Sequence, residues 1–265
     1  MEMHEIRPEI SQALLTNPGI GFIAAPELMD AEPNALRDSR GQIVAPYKFT
    51  PDSRTWNHPD SGVLFCSCRW KDIEPLQGTY DWRCLEEKLD AAAALGCTCI
   101  VRISPYALSA QEDIPAWLRM RYPEEPEFPF WRIDPNTTEY PRLWAALIRN
   151  FAARYDGDPR ITSVDMAIVG AWGEGGGTEN MEENAMKTVI AAYMEGFPHT
   201  PLTALLHDPK SLACIRAFPK QVGFRVDCLG DMGGFHGDRW SHMLDFYPEN
   251  IQNFQMGDAW QEAPV

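Results

Sequence analysis

The residues best suited to chemistry lie in one stretch, Ile161 to Gly177, reading ITSVDMAIVGAWGEGGG. A single carboxylate, Glu174, follows Trp172 and precedes Gly175, Gly176 and Gly177. A carboxylate can give or take a proton, an indole offers a flat apolar face, and glycines let the backbone turn sharply. Two arginines, Arg69 and Arg102, sit near the ends of other apolar stretches. An arginine inside an apolar strand is costly unless it is paired. Each therefore either bridges to a neighbouring loop or holds a catalytic carboxylate or a substrate oxygen. Trp117, Trp131 and Trp172 are candidate platforms for a sugar ring, although tryptophan is equally an ordinary packing residue. Further along, His207, Asp208, Asp227, Asp231, His236 and Asp238 gather near two strand exits, and His207, Asp227 and His236 are candidate substrate contacts. Such a set could also hold a divalent metal in a metal-dependent hydrolase. No His-x-His or His-Glu-x-x-His spacing supports that reading, so no metal and no cofactor are expected.

The elements that must position these residues alternate between strand and helix. Strands are expected at 19–24, 63–70, 97–104, 161–169, 201–206 and 222–229, each apolar and bounded by turn residues. Between them, Leu85, Leu89 and Ala92 recur at helical spacing, as do Leu143, Leu147, Phe151 and Tyr155, and Met186, Val189, Ile190 and Tyr193. A short helix is expected through Leu212 and Ile215, and a last polar helix around 249–254. The span 25–59 reads as one long loop. Strand–helix alternation predicts parallel βαβ units in an α/β fold, a (β/α)8 TIM barrel. A carboxylate at the C-terminal mouth of a strand is where such a barrel keeps its chemistry. About six to seven of the eight strands are expected within one domain over residues 1–265, truncated at the C-terminus, with the seventh strand beginning at Pro264-Val265. An incomplete barrel exposes strand edges and apolar faces, so either instability or association into a homo-oligomer is expected.

Composition narrows the function classes. With 265 residues, 45% hydrophobic, the chain can build one large core. Its net charge of −15 repels phosphate backbones and anionic membranes, which excludes nucleic acid and membrane surfaces as partners. No apolar run approaches the ~18 residues that a membrane span needs. The N-terminal text MEMHEIRPEISQ lacks a basic-then-apolar signal, so a cytoplasmic location is expected, or a secreted or periplasmic one if a signal was removed. Seven cysteines, with no Cys-x-x-Cys pair, read as buried thiols rather than a zinc site.

Three segments carry a resemblance: Asn17-Pro-Gly-Ile-Gly-Phe22, then Arg69-Trp-Lys-Asp-Ile-Glu-Pro-Leu-Gln-Gly-Thr-Tyr-Asp-Trp82, then Trp172-Gly-Glu174. The sequence resembles the TIM-barrel glycoside hydrolases of clan A, with the nearest likeness to family 42 β-galactosidase-like barrels and related bacterial proteins. The resemblance implies a retaining glycosidase acting on an oligosaccharide or glycoside with β-linked sugars. Glu174 would be its acid/base at the end of the fourth strand. It places the nucleophile at the end of the seventh strand, beyond the end of this chain on the strand count above, and the chain alone is then expected to be inactive. Gly173 stands where the clan usually carries an Asn that binds the sugar 2-hydroxyl. A carbohydrate-binding barrel without catalysis is the alternative.

Overall fold

The computed structural model describes residues 62–106, 114–121, 134–137, 139–206, 208–220 and 222–225, together with the backbone of strands at 23–24, 35–37, 43–46, 226–229 and 252–256. In chain order the strands are β1 (Ile23–Ala24), β2 (Ala35–Arg37), β3 (Ile43–Pro46), β4 (Val63–Arg69), β5 (Thr98–Ser104), β6 (Ile161–Asp165), β7 (Leu202–Leu205), β8 (Gly223–Leu229) and β9 (Gln252–Met256). The helices are α1 (Trp70–Ile73), α2 (Arg83–Ala94), α3 (Ala116–Arg119), α4 (Glu139–Tyr155), α5 (Glu183–Gly196) and α6 (Pro209–Ile215).

Seven strands form one sheet in the order β1-β4-β5-β6-β7-β8-β9, and every neighbouring pair is parallel. Each strand lies beside the next one in sequence, with only β2 and β3 set aside. That singly wound order is the order of a (β/α) barrel; a doubly wound sheet would reverse direction at its middle. The α/β barrel-type architecture expected from the alternation is the one observed.

Two expectations are corrected. The polar segment read as a helix around 249–254 contains a strand, β9, paired to β8 with Arg225 opposite Asn253 and Val226 opposite Phe254. The seventh strand of the sheet is therefore Gln252–Met256, and it does not begin at Pro264-Val265. The span 25–59, read as loop, contains an antiparallel pair, β2 with β3, with Leu36 opposite Ala45. Strands of three and four residues are too short to show a period in sequence.

The helices bury their apolar stripes on the outer face of the sheet. Leu143, Leu147, Phe151 and Tyr155 of α4 are all buried, as are Met186, Val189, Ile190 and Tyr193 of α5. Aromatic rings fill the junction: Trp70 packs at 5.1 Å from Trp144 and 6.1 Å from Tyr140, and Trp82 stacks at 5.6 Å on Phe151. Glu74 is buried at the centre of the turn after α1. Its carboxylate accepts hydrogen bonds from Trp70 Nε1 at 2.6 Å and from the Gly78 N–H at 2.7 Å. Desolvation raises its carboxyl above the ordinary range, against the pull of those two donors. The Ile73-Glu74-Pro75 segment that carries the resemblance thus serves as a fastening for the aromatic layer.

Candidate active site at the sheet's C-terminal mouth

The ladder of β6 ends at Asp165, but the chain holds the strand's course further. The Met166 N–H donates to the Thr203 carbonyl at 2.8 Å. Beyond that, side chains from the helices replace the missing strand partner. Trp144 Nε1 donates to the Ala167 carbonyl at 2.8 Å, and the Tyr140 hydroxyl donates to the Ile168 carbonyl at 2.7 Å. The Tyr193 hydroxyl donates to the Ala167 carbonyl at 3.2 Å and accepts from the Ala167 N–H at the same distance. Burial pushes both tyrosine phenols well above their ordinary range, which keeps them protonated as donors. Ala171 then makes a parallel bridge to Tyr106, just past β5.

Here the chain turns, and the turn is held by its backbone. The Trp172 N–H donates to the Tyr106 carbonyl at 2.8 Å. The Trp172 carbonyl accepts from Ser104 Oγ at 2.8 Å and from Arg102 Nη1 at 3.2 Å. Trp172 is the non-glycine residue with positive φ among the described residues, at 54°, and the residue is 46% exposed. A bulky residue in the left-handed region is strained by about 1–2 kcal/mol, and strain of this kind gathers at functional sites. Gly173 follows with φ 77°, and a Cβ there would lie 2.6 Å from the Ala167 Cβ and 3.1 Å from Arg102 Cδ. The departure from Asn at this position is thus built into the backbone: no side chain fits.

Glu174 leaves this turn half-exposed, with Oε1 at 3.8 Å from Arg102 Nη1. The other edge of the Arg102 guanidinium is committed to Asp165. Its Nε and Nη2 donate to Asp165 Oδ2 at 2.9 and 2.6 Å. Arg225 Nε approaches the same oxygen at 2.9 Å. All three side chains are nearly inaccessible, so the pairing answers the cost of burying charge. One carboxylate lies between two guanidiniums, and Glu174 supplies the second negative charge beside Arg102. A buried cation is in this way fixed at one end and turned toward the candidate acid at the other.

Other candidates distribute unevenly. Arg69 ends β4 directly opposite Ser104 in register, on the face that carries Arg102, and so stands at the mouth. Trp117 is engaged by protein: its Nε1 donates to the Glu74 carbonyl at 2.8 Å, its ring meets Trp70 edge-on, and Arg121 lies over its face. His207, Trp131 and His236 lie outside the described residues, and Asp227 is described only as backbone in β8. Asp208 caps α6 by accepting from the Lys210 and Ser211 N–H groups, and its buried Oδ2 lies beneath Gly175. Among the described residues no cluster of three or more His, Cys, Asp or Glu could hold a metal.

Sequence reasoning missed Asp165, Arg225 and Ser104. The signal available was alternation: Ser163 and Asp165 recur at period two inside an apolar strand, and Arg225 sits between Phe224 and Val226.

Residues 61–166 match the family model of glycoside hydrolase family 42, β-galactosidase. That match runs from β4 to the end of β6 and stops before Glu174. On a singly wound parallel sheet with a carboxylate at its mouth, it supports a TIM-barrel protein of the glycosidase type. Among solved structures, the chain is similar to endo-glycoceramidase II from Rhodococcus sp. in its lactosyl-enzyme intermediate. Identity is 14% over 86% of this chain and 76% of that one, with a TM-score of 0.47. It is also similar to an exo-β-1,4-mannosidase from Opitutaceae bacterium strain TAV5, at 14% identity over 73% of this chain and 40% of that one, with a TM-score of 0.44. For the catalytic domain of a Paenibacillus polymyxa β-amylase the values are 9% identity, 63% and 69% coverage, and a TM-score of 0.46. No curated protein matches the chain in sequence.

Proposed function

We propose that this chain is the barrel of a retaining glycosidase that acts on β-linked sugars, in the manner of a β-galactosidase, with Glu174 as its acid/base. The observation that carries the reading is the placement of Glu174. It stands on a backbone-pinned turn at the strand mouth, between an exposed indole and the outward end of a buried guanidinium. Glu174 protonates the leaving glycosidic oxygen and then takes a proton from the incoming water. A second carboxylate, about 5–5.5 Å away in a retaining enzyme, attacks the anomeric carbon. Trp172 offers its exposed face to the sugar, and Arg69 and Arg102 bind oxygens of substrate or carboxylate.

The nucleophile belongs after the seventh strand. With β9 as that strand, the carboxylates that follow it in sequence are Asp258 and Glu262, both outside the described residues. The test is hydrolysis of a panel of aryl β-glycosides by the chain and by Glu174→Gln, Asp258→Asn and Glu262→Gln. Loss of general acid/base help lowers kcat/KM by about 10²–10⁴-fold. Azide, or a substrate with a good leaving group, restores part of the Glu174→Gln loss. A well-folded protein with no activity on any member of the panel sinks the reading.

A second reading, a carbohydrate-binding barrel without catalysis, is favoured by Gly173, where no side chain is present to hold a sugar hydroxyl. It predicts saturable sugar binding that Glu174→Gln leaves intact and Trp172→Ala weakens, with no turnover.

A further inference from the structure

Behind the mouth, on the outer face of the sheet, two cysteines face each other across β4 and α2. Cys84 Sγ lies 3.6 Å from Cys68 Sγ, within reach of a weak S–H···S hydrogen bond in which the Cys68 thiol can serve a Cys84 thiolate. We propose that Cys68 and Cys84 are a dithiol site that closes to a disulfide when the folded protein meets a small disulfide oxidant. Bonded sulfurs sit about 2.05 Å apart, so the two sulfurs, already 3.6 Å apart, have a short gap left to close.

The two thiols are unequal in the way that a directed reaction needs. Cys68 is buried, whereas Cys84 is partly exposed, so an oxidant reaches Cys84 first. Cys84 is the second residue of the twelve-residue helix α2, where the helix's positive end favours a thiolate. Its thiol is held below the ordinary value, chiefly by the hydrogen bond with Cys68 and with help from Lys88, against desolvation and the charges of Asp72 and Asp81. Cys66 and Cys99 also approach, at 2.9 Å, but both are fully enclosed and present no surface to an oxidant.

The chemistry balances in two exchanges. The Cys84 thiolate attacks one sulfur of the small disulfide, breaking its S–S bond, releasing one small thiolate and leaving a mixed disulfide on Cys84. Cys68 then gives up its proton and attacks the Cys84 sulfur, expelling the second small thiolate. Two protein thiols are oxidised to one disulfide, and one small disulfide is reduced to two thiols. The bond ties the residue before Arg69 to the first turn of α2 and encloses the Trp70–Trp82 segment in a covalent loop.

The test uses the full chain, reduced, desalted and incubated folded with oxidised glutathione. Intact mass and non-reducing peptide mapping read the outcome. The expected result is the loss of two hydrogens, a peptide joining Cys68 to Cys84, no retained glutathione, reversal by dithiothreitol, and a melting temperature a few degrees above that of the reduced protein. Cys84→Ser, a change at a partly exposed position, is expected to fold, to form no link and to leave Cys68 reduced. Glutathione that stays on Cys84 without exchange overturns the proposal. So does a folded protein in which other cysteines link while Cys84 still reacts with iodoacetamide.

Discussion

The two faces of the sheet are built on opposite principles. Outward, toward the helices, Trp70, Tyr140, Trp144, Phe151 and Phe197 pack ring against ring with almost no exposure. Inward, Arg102, Ser104, Ser163, Asp165, Thr203 and Arg225 are buried and polar, alongside the apolar Ile100, Leu205 and Phe65, whose ring lies 4.8 Å from the Arg102 guanidinium. A barrel interior is usually filled with bulky branched side chains. Among the described residues the outer layer supplies most of the apolar burial, and the interior holds a charge arrangement that leads to Glu174. The difference teaches that stability and chemistry are divided between faces of the same strands.

Substitutions can break or sharpen that division. The largest effect is expected inside. Asp165→Ala leaves two buried guanidiniums facing each other and costs about 3–5 kcal/mol, read as a fall in the denaturation midpoint. A variant that melts like the parent would mean that the interior charges are solvated, and the contrast between faces would fail. Outside, Trp144→Phe removes the donor to the Ala167 carbonyl and some ring volume while Tyr193 still serves that oxygen, so a loss of about 1–3 kcal/mol is expected. Smaller again is Trp172→Gly, which relieves a positive φ at an exposed site. Its melting temperature should hold or rise, within about 1 kcal/mol, while sugar affinity falls; a clear destabilisation would recast Trp172 as a packing residue. The smallest effect lies on the surface. Asp158 is held below its ordinary 3.8 chiefly by hydrogen bonds from Arg160, against some desolvation. A lowered folded pKa contributes stability that is present above the unfolded value and lost as pH falls through the folded one. Asp158→Asn should therefore lower the melting temperature slightly on the neutral side, where that contribution is present, and make its fall below pH 3.8 shallower.

The outer face was the legible one. Period-two strands at 63–70, 97–104 and 161–169 and the four-residue repeat of α4 were readable because helix–sheet burial writes apolar residues at fixed spacing. The interior hid itself for the same reason. The polar composition of β9, Gln-Asn-Phe-Gln-Met, made it look like a polar helix. Arg102 was recognisable as a charge that needed a partner, but Asp165 became that partner only through the register of β5 on β6. Glu174 stood out by its glycines. The residues that hold its turn, Ser104 and Tyr106, act through a hydroxyl and a carbonyl that no local pattern marks.

The turn at Trp172 is clamped through its own amide and carbonyl, by Tyr106 on one side and Ser104 and Arg102 on the other. Its indole takes no part in that clamp. The position therefore behaves as an interchangeable fitting on a fixed bracket: the ring can be traded for another without re-aiming the neighbouring carboxylate. On the function proposed above, ligand preference can then drift, or be engineered, at residue 172 while Glu174 stays where it is.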